Sequence, residues 1–261
     1  MKAQIQAFLP ADHPWKDQIR YYQAIDSTNT EAKRIAATAP HGTVLIAEEQ
    51  TGGRGRMGRS FCSPARAGIY LSVILRPNCR AEQLMHLTCA VAVAMCDAVE
   101  TVSGLRPNIK WINDLLFQGK KLGGILTEMN VDPATGFVNF AVVGIGINCS
   151  QEIGDFPLEL QDIAISLKTA TGKDIDNCRL AAQMLNALWE MDCRLFSDKD
   201  QLMAAYRKNC VTLGQEILLL RQDTTTPCRA VDLDADGALI VEYADGTTET
   251  VTSGQVSTRN L

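Results

Sequence analysis

The chain of 261 residues carries 25 Lys and Arg against 30 Asp and Glu, a formal net charge of −5, and is 46% hydrophobic and 21% charged. That composition excludes a disordered or fibrous chain, and the acidic balance argues against general affinity for nucleic acid or an anionic membrane, because both partners reward a basic surface. The length suits one large domain, or a large domain with a small one.

Along the chain, Thr28 with Glu31 three residues on reads as a capping box that opens a helix through 32–37, closed by His41-Gly42. The apolar, β-branched runs 43–47 and 69–75 read as buried strands. Between them lies Gly52-Gly53-Arg54-Gly55-Arg56-Met57-Gly58-Arg59. Leu84, Leu87, Val91, Met95, Ala98 and Val102 recur at helical spacing and predict a long amphipathic helix over 82–102. Strands are expected at 109–112, 124–129 and 137–147. Leu180, Met184, Leu188, Met191 and Leu195 mark a second amphipathic helix, and a third is expected over 200–208. Strands and helices mixed around a sheet place this part in the α/β or α+β class. After Leu213-Gly214 the texture changes to short strand-like runs at 216–221, 228–233, 238–243 and 247–251, with Asp-Gly turns at 236–237 and 245–246, which suggests a small all-β barrel. The expected domains are therefore 1–212 and 213–261.

No eighteen-residue apolar run and no secretory leader are found, so the chain is expected in the cytoplasm and away from membranes. Its nine cysteines are odd in number and scattered, with no C-x-x-C pair, which points to reduced thiols rather than disulfides or a metal site.

Three patterns bear on chemistry. From Gln50 to Arg80 the sequence holds six arginines, at 54, 56, 59, 66, 76 and 80, and no Asp or Glu. Closely spaced glycines let backbone N–H groups converge on a ligand, and arginines add cationic forks suited to phosphate and carboxylate, so the run at 51–59 reads as an anion site. It is neither a P-loop nor a dinucleotide fingerprint. A plain surface loop is the competing reading. An RNA-binding tract fits less well, because the run is single, short and held between strands. The second pattern, Lys110-Trp111-Ile112-Asn113-Asp114 followed by Gly119-Lys120-Lys121-Leu122-Gly123-Gly124, resembles a polar-turned hairpin with solvated lysines, or else presents a lysine to a phosphate. The third is Gly144-Ile145-Gly146-Ile147-Asn148, where alternating glycines bare one face of a strand to a flat ligand or to a packed neighbour.

Taken in order, Ser27-Thr28-Asn29, Glu49 through Arg59, Lys110 through Asp114, Lys121 through Leu126 and Gly144 through Asn148 together resemble the biotin protein ligases, and the match runs from about residue 22 to Arg259. The resemblance implies a mixed central sheet with flanking helices, of the kind shared with class II aminoacyl-tRNA synthetases, followed by a small SH3-like barrel. It implies a two-step reaction with ATP, Mg²⁺ and biotin: the biotin carboxylate attacks the α-phosphate, and a lysine of a biotin carrier protein, such as that of acetyl-CoA carboxylase, then displaces AMP. By the same resemblance Ser27, Thr28, Asn29, Gln50, Gly53, Arg54 and Gly55 face biotin. Arg56 and Lys121 face the reacting carboxylate and phosphate as catalytic groups, and Gly124 leaves room for biotin. Phe61, Lys110, Asn113, Asn148 and Arg259 surround the nucleotide, and no dedicated metal ligands are implied. Ile112 stands where the family usually has proline, and Phe61 where it commonly has a larger aromatic. Some relatives add an N-terminal helix-turn-helix and act as repressors. The 26 residues before Ser27 leave no room for one, so a ligase without repressor activity and without a nucleic-acid partner is expected. The resemblance allows a monomer or a homodimer, since both occur in the family. A lipoate ligase is the nearest enzymatic alternative, and a small-ligand or RNA-binding module the alternative from another class.

Overall fold

The computed structural model describes residues 1–221, 224–252 and 254–257. Seven strands, β1 (Ile19–Ile25), β2 (Thr43–Gln50), β3 (Gly68–Leu75), β4 (Asn108–Lys110), β5 (Asp114–Phe117), β6 (Lys120–Val131) and β7 (Val138–Asn148), form one sheet in the order β1-β2-β3-β7-β6-β5-β4. The β1–β2 pair is parallel and all others are antiparallel. Six α-helices lie among the described residues, α1 (Lys2–Phe8), α2 (Thr28–Ile35), α3 (Leu87–Ser103), α4 (Leu167–Thr171), α5 (Asn177–Arg194) and α6 (Lys199–Asn209).

Strand alternation divides the core between the two faces. Val44 and Ile46, Ile69, Leu71 and Val73, and Val143, Ile145 and Ile147 point to one face, where they join Met95, Leu185 and Leu188 of α3 and α5 in the main core. Leu45, Ile74 and Val142 point to the other, where Ala32, Ala36 and Ala39 in and beyond α2 cover them, with Tyr22, Ile35 and Phe140 packed alongside. One short helix cannot shield a seven-stranded sheet, and the uncovered part of that face is where the cleft lies. The stretch Ala81–Ser103 is long and apolar enough to cross a membrane by composition, yet it is a core element: α3 packs on α5, α6 and β6.

Five further strands, β8 (Glu216–Arg221), β9 (Thr224–Leu233), β10 (Leu239–Glu242), β11 (Thr248–Val251) and β12 (Gln255–Ser257), build an antiparallel sheet in the order β11-β10-β9-β8-β12. Its turns contain Gly237 and Gly246, both at positive φ, as the two Asp-Gly pairs predict. The β9–β10 turn is fastened to α6: Lys199 pairs with Asp236 at 2.6 Å, and the Arg207 guanidinium donates to Leu233 O at 2.7 Å and Asp234 O at 3.1 Å.

Several expectations shift. The cap of α2 is Ser27, whose Oγ accepts from Thr30 N, one residue earlier than the Thr28–Glu31 box, because the Thr28 hydroxyl is engaged elsewhere. That helix ends at Ile35, well before His41-Gly42; Gly42 instead makes room for the Trp15 ring, 2.1 Å from where a Cβ would sit. The 82–102 helix breaks at Met85-His86 into a 3-10 turn and α3. The hairpin at 109–126 is really two. The tip between β5 and β6 is Gln118-Gly119, both at positive φ, so Asn113-Asp114 sits at the inner turn with a cis Trp111–Ile112 peptide before it. Residues before Ser27, which the periodicity left unassigned, supply α1 against α5 and the edge strand β1.

Candidate active site

The floor of the cleft is set by strand register. Ser72 of β3 lies opposite Gly144 of β7, which lies opposite Leu126 of β6; one step along, Tyr70, Gly146 and Gly124 line up in the same way. The two β7 glycines bare the sheet there, and the protein's own side chains take the space. A Cβ on Gly144 would fall 2.0 Å from Asn29 Oδ1, and one on Gly146 would fall 2.4 Å from the Phe61 ring. Of the two readings for that motif, packing against a neighbouring group describes it, and the packed groups are themselves candidate site residues.

One end of the cleft is a polar network. Asn29 is buried; its Nδ2 donates to Leu126 O at 3.1 Å and to Glu128 Oε2 at 3.0 Å, and its Oδ1 accepts from Ser72 Oγ at 2.6 Å. Ser72 Oγ also lies 2.8 Å from Thr28 Oγ1, which in turn lies 3.1 Å from Gln50 Oε1. Gln50 Oε1 receives the Thr28 backbone N–H at 2.9 Å, and Gln50 Nε2 donates to Ser63 Oγ at 2.9 Å. Ser72 has one proton and the Asn29 oxygen can only accept, so that proton goes to Asn29 and the Thr28 hydroxyl is left oriented by its neighbours. Behind the network, Lys33 meets Glu128 at 2.7 Å. Burial opposes the Glu128 charge, but hydrogen bonds from Lys33 and Asn29 hold its carboxyl below the usual range. Ser72 and Ser63 were invisible as site residues in the sequence: a hydroxyl within an apolar strand or a loop carries no pattern.

The other end is cationic. Arg54, Arg56, Arg59, Lys110 and Lys121 line the cleft together with Asp114 as its one carboxylate among the described residues. Arg56 is half-buried, its Nη1 donating to Asn113 Oδ1 at 3.1 Å and its Nη2 to Gly254 O at 3.5 Å. Burial lowers its guanidinium from the ordinary value and Asp114 opposes that shift; arginine stays charged at any working pH. Lys121 Nζ meets Asp114 Oδ1 at 2.7 Å, and the bare Gly124 makes room for that pair, since a Cβ there would lie 3.3 Å from Lys121 Cε. The run 54–60 folds as a small hairpin over the cleft, with an Arg54–Ser60 bridge and Gly55 N donating to Arg59 O at 2.7 Å.

The cationic segment divides. Arg66 pairs with Glu48 and Arg80 with Glu82, while Arg76 donates to Ala36 O and Ala39 O beyond the end of α2 and to Asn139 O of β7. Half of the six arginines are thus structural, with partners from outside the segment, and the three nearest the glycines face the cleft.

Of the other expected site residues, Ser27, Thr28, Asn29, Gln50, Gly55, Phe61, Lys110, Asn113 and Gly124 all line the cleft. Gly53 and Asn148 sit behind its wall. Gly53 O accepts from Phe61 N at 2.9 Å in a space too tight for a Cβ. Asn148 is buried, donating to Ile165 O at 3.2 Å and Lys121 O at 3.4 Å, so it braces the strand that carries Lys121. Arg259 lies outside the described residues. Trp111, Ile125, Gly254 and Val256 also line the cleft without having been named as site residues, as do Ser60, Leu126 and Ile145.

The chain is similar to known proteins over most of its length. Residues 21–148 match the Biotin/lipoate A/B protein ligase family, and residues 212–259 match the biotin protein ligase C-terminal domain. The biotin–[acetyl-CoA-carboxylase] ligase of Mycobacterium tuberculosis is 34% identical over 257 residues, covering 95% of this chain and 91% of its own. The bifunctional ligase/repressor BirA of Bacillus spizizenii is 35% identical over 229 residues, 87% of this chain and 70% of its own. The biotin protein ligase of Aquifex aeolicus, solved in complex with biotin and ATP, superposes with a TM-score of 0.76 at 28% identity, covering 92% of this chain and 97% of that one. Relatives at 34 and 35% identity that cover most of this chain and of their own make it a member of the biotin protein ligase family.

Proposed function

We propose that the chain activates biotin with ATP and transfers it to a lysine of a biotin carrier protein, as a biotin–[biotin carboxyl-carrier protein] ligase. The observation that carries this reading is the cleft's polarity: a neutral hydrogen-bonding end at Ser27, Thr28, Asn29 and Gln50, and a cationic end at Arg54, Arg56 and Lys121. Biotin has the same two ends. Its ureido ring needs neutral donors and acceptors, and its carboxylate must approach a triphosphate, which is possible only where fixed positive charge offsets the repulsion.

In the first step a carboxylate oxygen of biotin bonds to the α-phosphorus, and pyrophosphate leaves. Arg56, held by Asn113 and Gly254 O, presents its fork to the developing charge, and Lys121 adds a point charge from the opposite strand. Magnesium carried by the nucleotide would offset part of the phosphates' charge, and Asp114, with one oxygen already on Lys121, is the carboxylate of this cleft that would help hold it. The phosphate end is completed by Lys110, with Asn113 acting through the Arg56 fork it holds, the adenine is covered by Phe61 over Gly146, and Arg259 is assigned to the triphosphate. In the second step the carrier lysine's amine attacks the biotinyl carbonyl and AMP leaves with the bonding pair. The hairpin at 54–60 shields the mixed anhydride from water in between.

We assign the catalytic unit to residues 1–212 and the accessory sheet to 213–261, and place the reaction in the cytoplasm, where ATP is supplied and nine thiols stay reduced. The test is mass transfer: with biotin and Mg-ATP, a biotin carrier domain gains one biotinyl group on a single lysine. A carrier of unchanged mass, or one that gains a lipoyl group from lipoate instead, overturns the reading.

A further inference from the structure

Beneath the cleft, α6 buries a phenol that no step above uses. Tyr206 is fully buried, with the thiols of Cys89 and Cys210 beside its hydroxyl, and that hydroxyl donates to Ile112 O at 3.1 Å. A buried hydroxyl is retained at a desolvation cost that Phe would avoid, so its one strong acceptor is informative. That acceptor is the carbonyl between Trp111 and Asn113, in the turn joining β4 to β5.

The same turn is held on every side. Trp111 N donates to Thr212 Oγ1 at 2.9 Å, and Trp111 Nε1 donates to Gly237 O at 2.9 Å, in the β9–β10 turn. Asn113 exchanges backbone and side-chain bonds with Ile125: Ile125 N donates to Asn113 O at 2.9 Å, and Asn113 Nδ2 donates to Ile125 O at 2.9 Å. With its amide donor committed, Asn113 Oδ1 is aimed at Arg56 Nη1. An Ile112 carbonyl without a partner in this buried setting would turn toward one, and the peptide plane that turns with it carries the Asn113 N–H.

We infer that Tyr206 is a positioning residue: its hydroxyl fixes the 111–113 turn and, through Asn113, the direction of the Arg56 fork during adenylation. This rests on the proposed ligase activity. α6 and the C-terminal sheet thereby contribute to catalysis from below the cleft, in addition to the lining residues Gly254 and Val256.

The experiment compares wild type, Tyr206→Phe, Asn113→Ala and the double variant of the full chain in biotin-dependent adenylation. Tyr206→Phe keeps the ring and removes one oxygen. Its kcat is expected to fall roughly five- to tenfold, the effect of one buried hydrogen bond, with the KM for biotin within about twofold of wild type. In the Asn113→Ala background the same change is expected to have less than about a twofold effect, because the relay is already cut. Thr212→Val, which removes another anchor of the turn, gives a second reading should Tyr206→Phe fold poorly, and its kcat is expected to fall in the same way. If Tyr206→Phe lowers only the melting temperature, or if its effect multiplies unchanged onto Asn113→Ala, the positioning role is wrong. A wild-type chain with no biotin-dependent adenylation sinks the ligase reading itself, a different outcome from an active wild type beside an equally active Tyr206→Phe.

Discussion

Gly144→Ala inserts one methyl group where the structure has least room for it. The new Cβ would stand 2.0 Å from Asn29 Oδ1 and 2.6 Å from Asn29 Cγ, so the amide must move by more than 1 Å to reach ordinary contact of about 3.4 Å. It cannot move so far and keep its three bonds, to Leu126 O at 3.1 Å, to Glu128 Oε2 at 3.0 Å and from Ser72 Oγ at 2.6 Å. At roughly 1 kcal/mol for each neutral bond and up to about 2 for the one to a carboxylate, the loss is about 2–4 kcal/mol. For a chain of this size that lowers the melting midpoint by roughly 4–16 °C. Because Asn29 orients Ser72 and so Thr28, biotin affinity is expected to weaken in parallel, by about ten- to a hundredfold. Calorimetric titration with biotin and a thermal melt measure both. Gly154→Ala is the control, since nothing lies within 4 Å of its Cβ position and its φ is not positive. A Gly144→Ala protein with wild-type midpoint and biotin affinity refutes the packing argument for that strand.

Other consequences follow from the same geometry. Arg56→Ala is expected to reduce adenylate formation by more than about a hundredfold while biotin binds within about tenfold of wild type, and Arg56→Lys recovers little because an ammonium cannot hold both Asn113 and Gly254 O; rapid-quench and binding assays separate the two. Phe61→Ala removes the ring that covers Gly146 and is expected to raise the KM for ATP by roughly tenfold with little change for biotin; an unchanged ATP KM contradicts the assignment. Burial pulls the imidazoles of His13 and His86 below their ordinary 6.5. The unfolded chain then binds protons before the folded one. Stability is full above about pH 6.5 and falls as the pH drops below it, and melting midpoints that stay level from about pH 7.5 to 5.5 would contradict this.

The sequence made the sheet and the long helices legible because apolar spacing is what burial imposes. The runs at 43–47 and 69–75 and the stripe from Leu180 to Leu195 fall on β2, β3 and α5. It did not reveal β1, whose residues Arg20 to Gln23 are polar or amphipathic because an edge strand buries little. Nor did it reveal that Arg66, Arg76 and Arg80 are structural: their partners, Glu48, the Ala36 and Ala39 carbonyls and Glu82, lie outside the segment or on the backbone. At the site, glycine and arginine motifs in order pointed to residues most of which the fold gathers around one cleft, but not to how those residues pack on one another. Gly144 and Gly146 accommodate Asn29 and Phe61, Gly124 accommodates Lys121, and Asn148 braces from behind; these are contacts between residues up to about 120 apart in sequence, which no local pattern records.

The central claim, that this cleft joins biotin to AMP, is tested most directly by isotope exchange between pyrophosphate and ATP. Exchange is expected only when biotin and Mg²⁺ are present, and is expected to be lost in Arg56→Ala. Exchange without biotin, or exchange that lipoate supports and biotin does not, contradicts it.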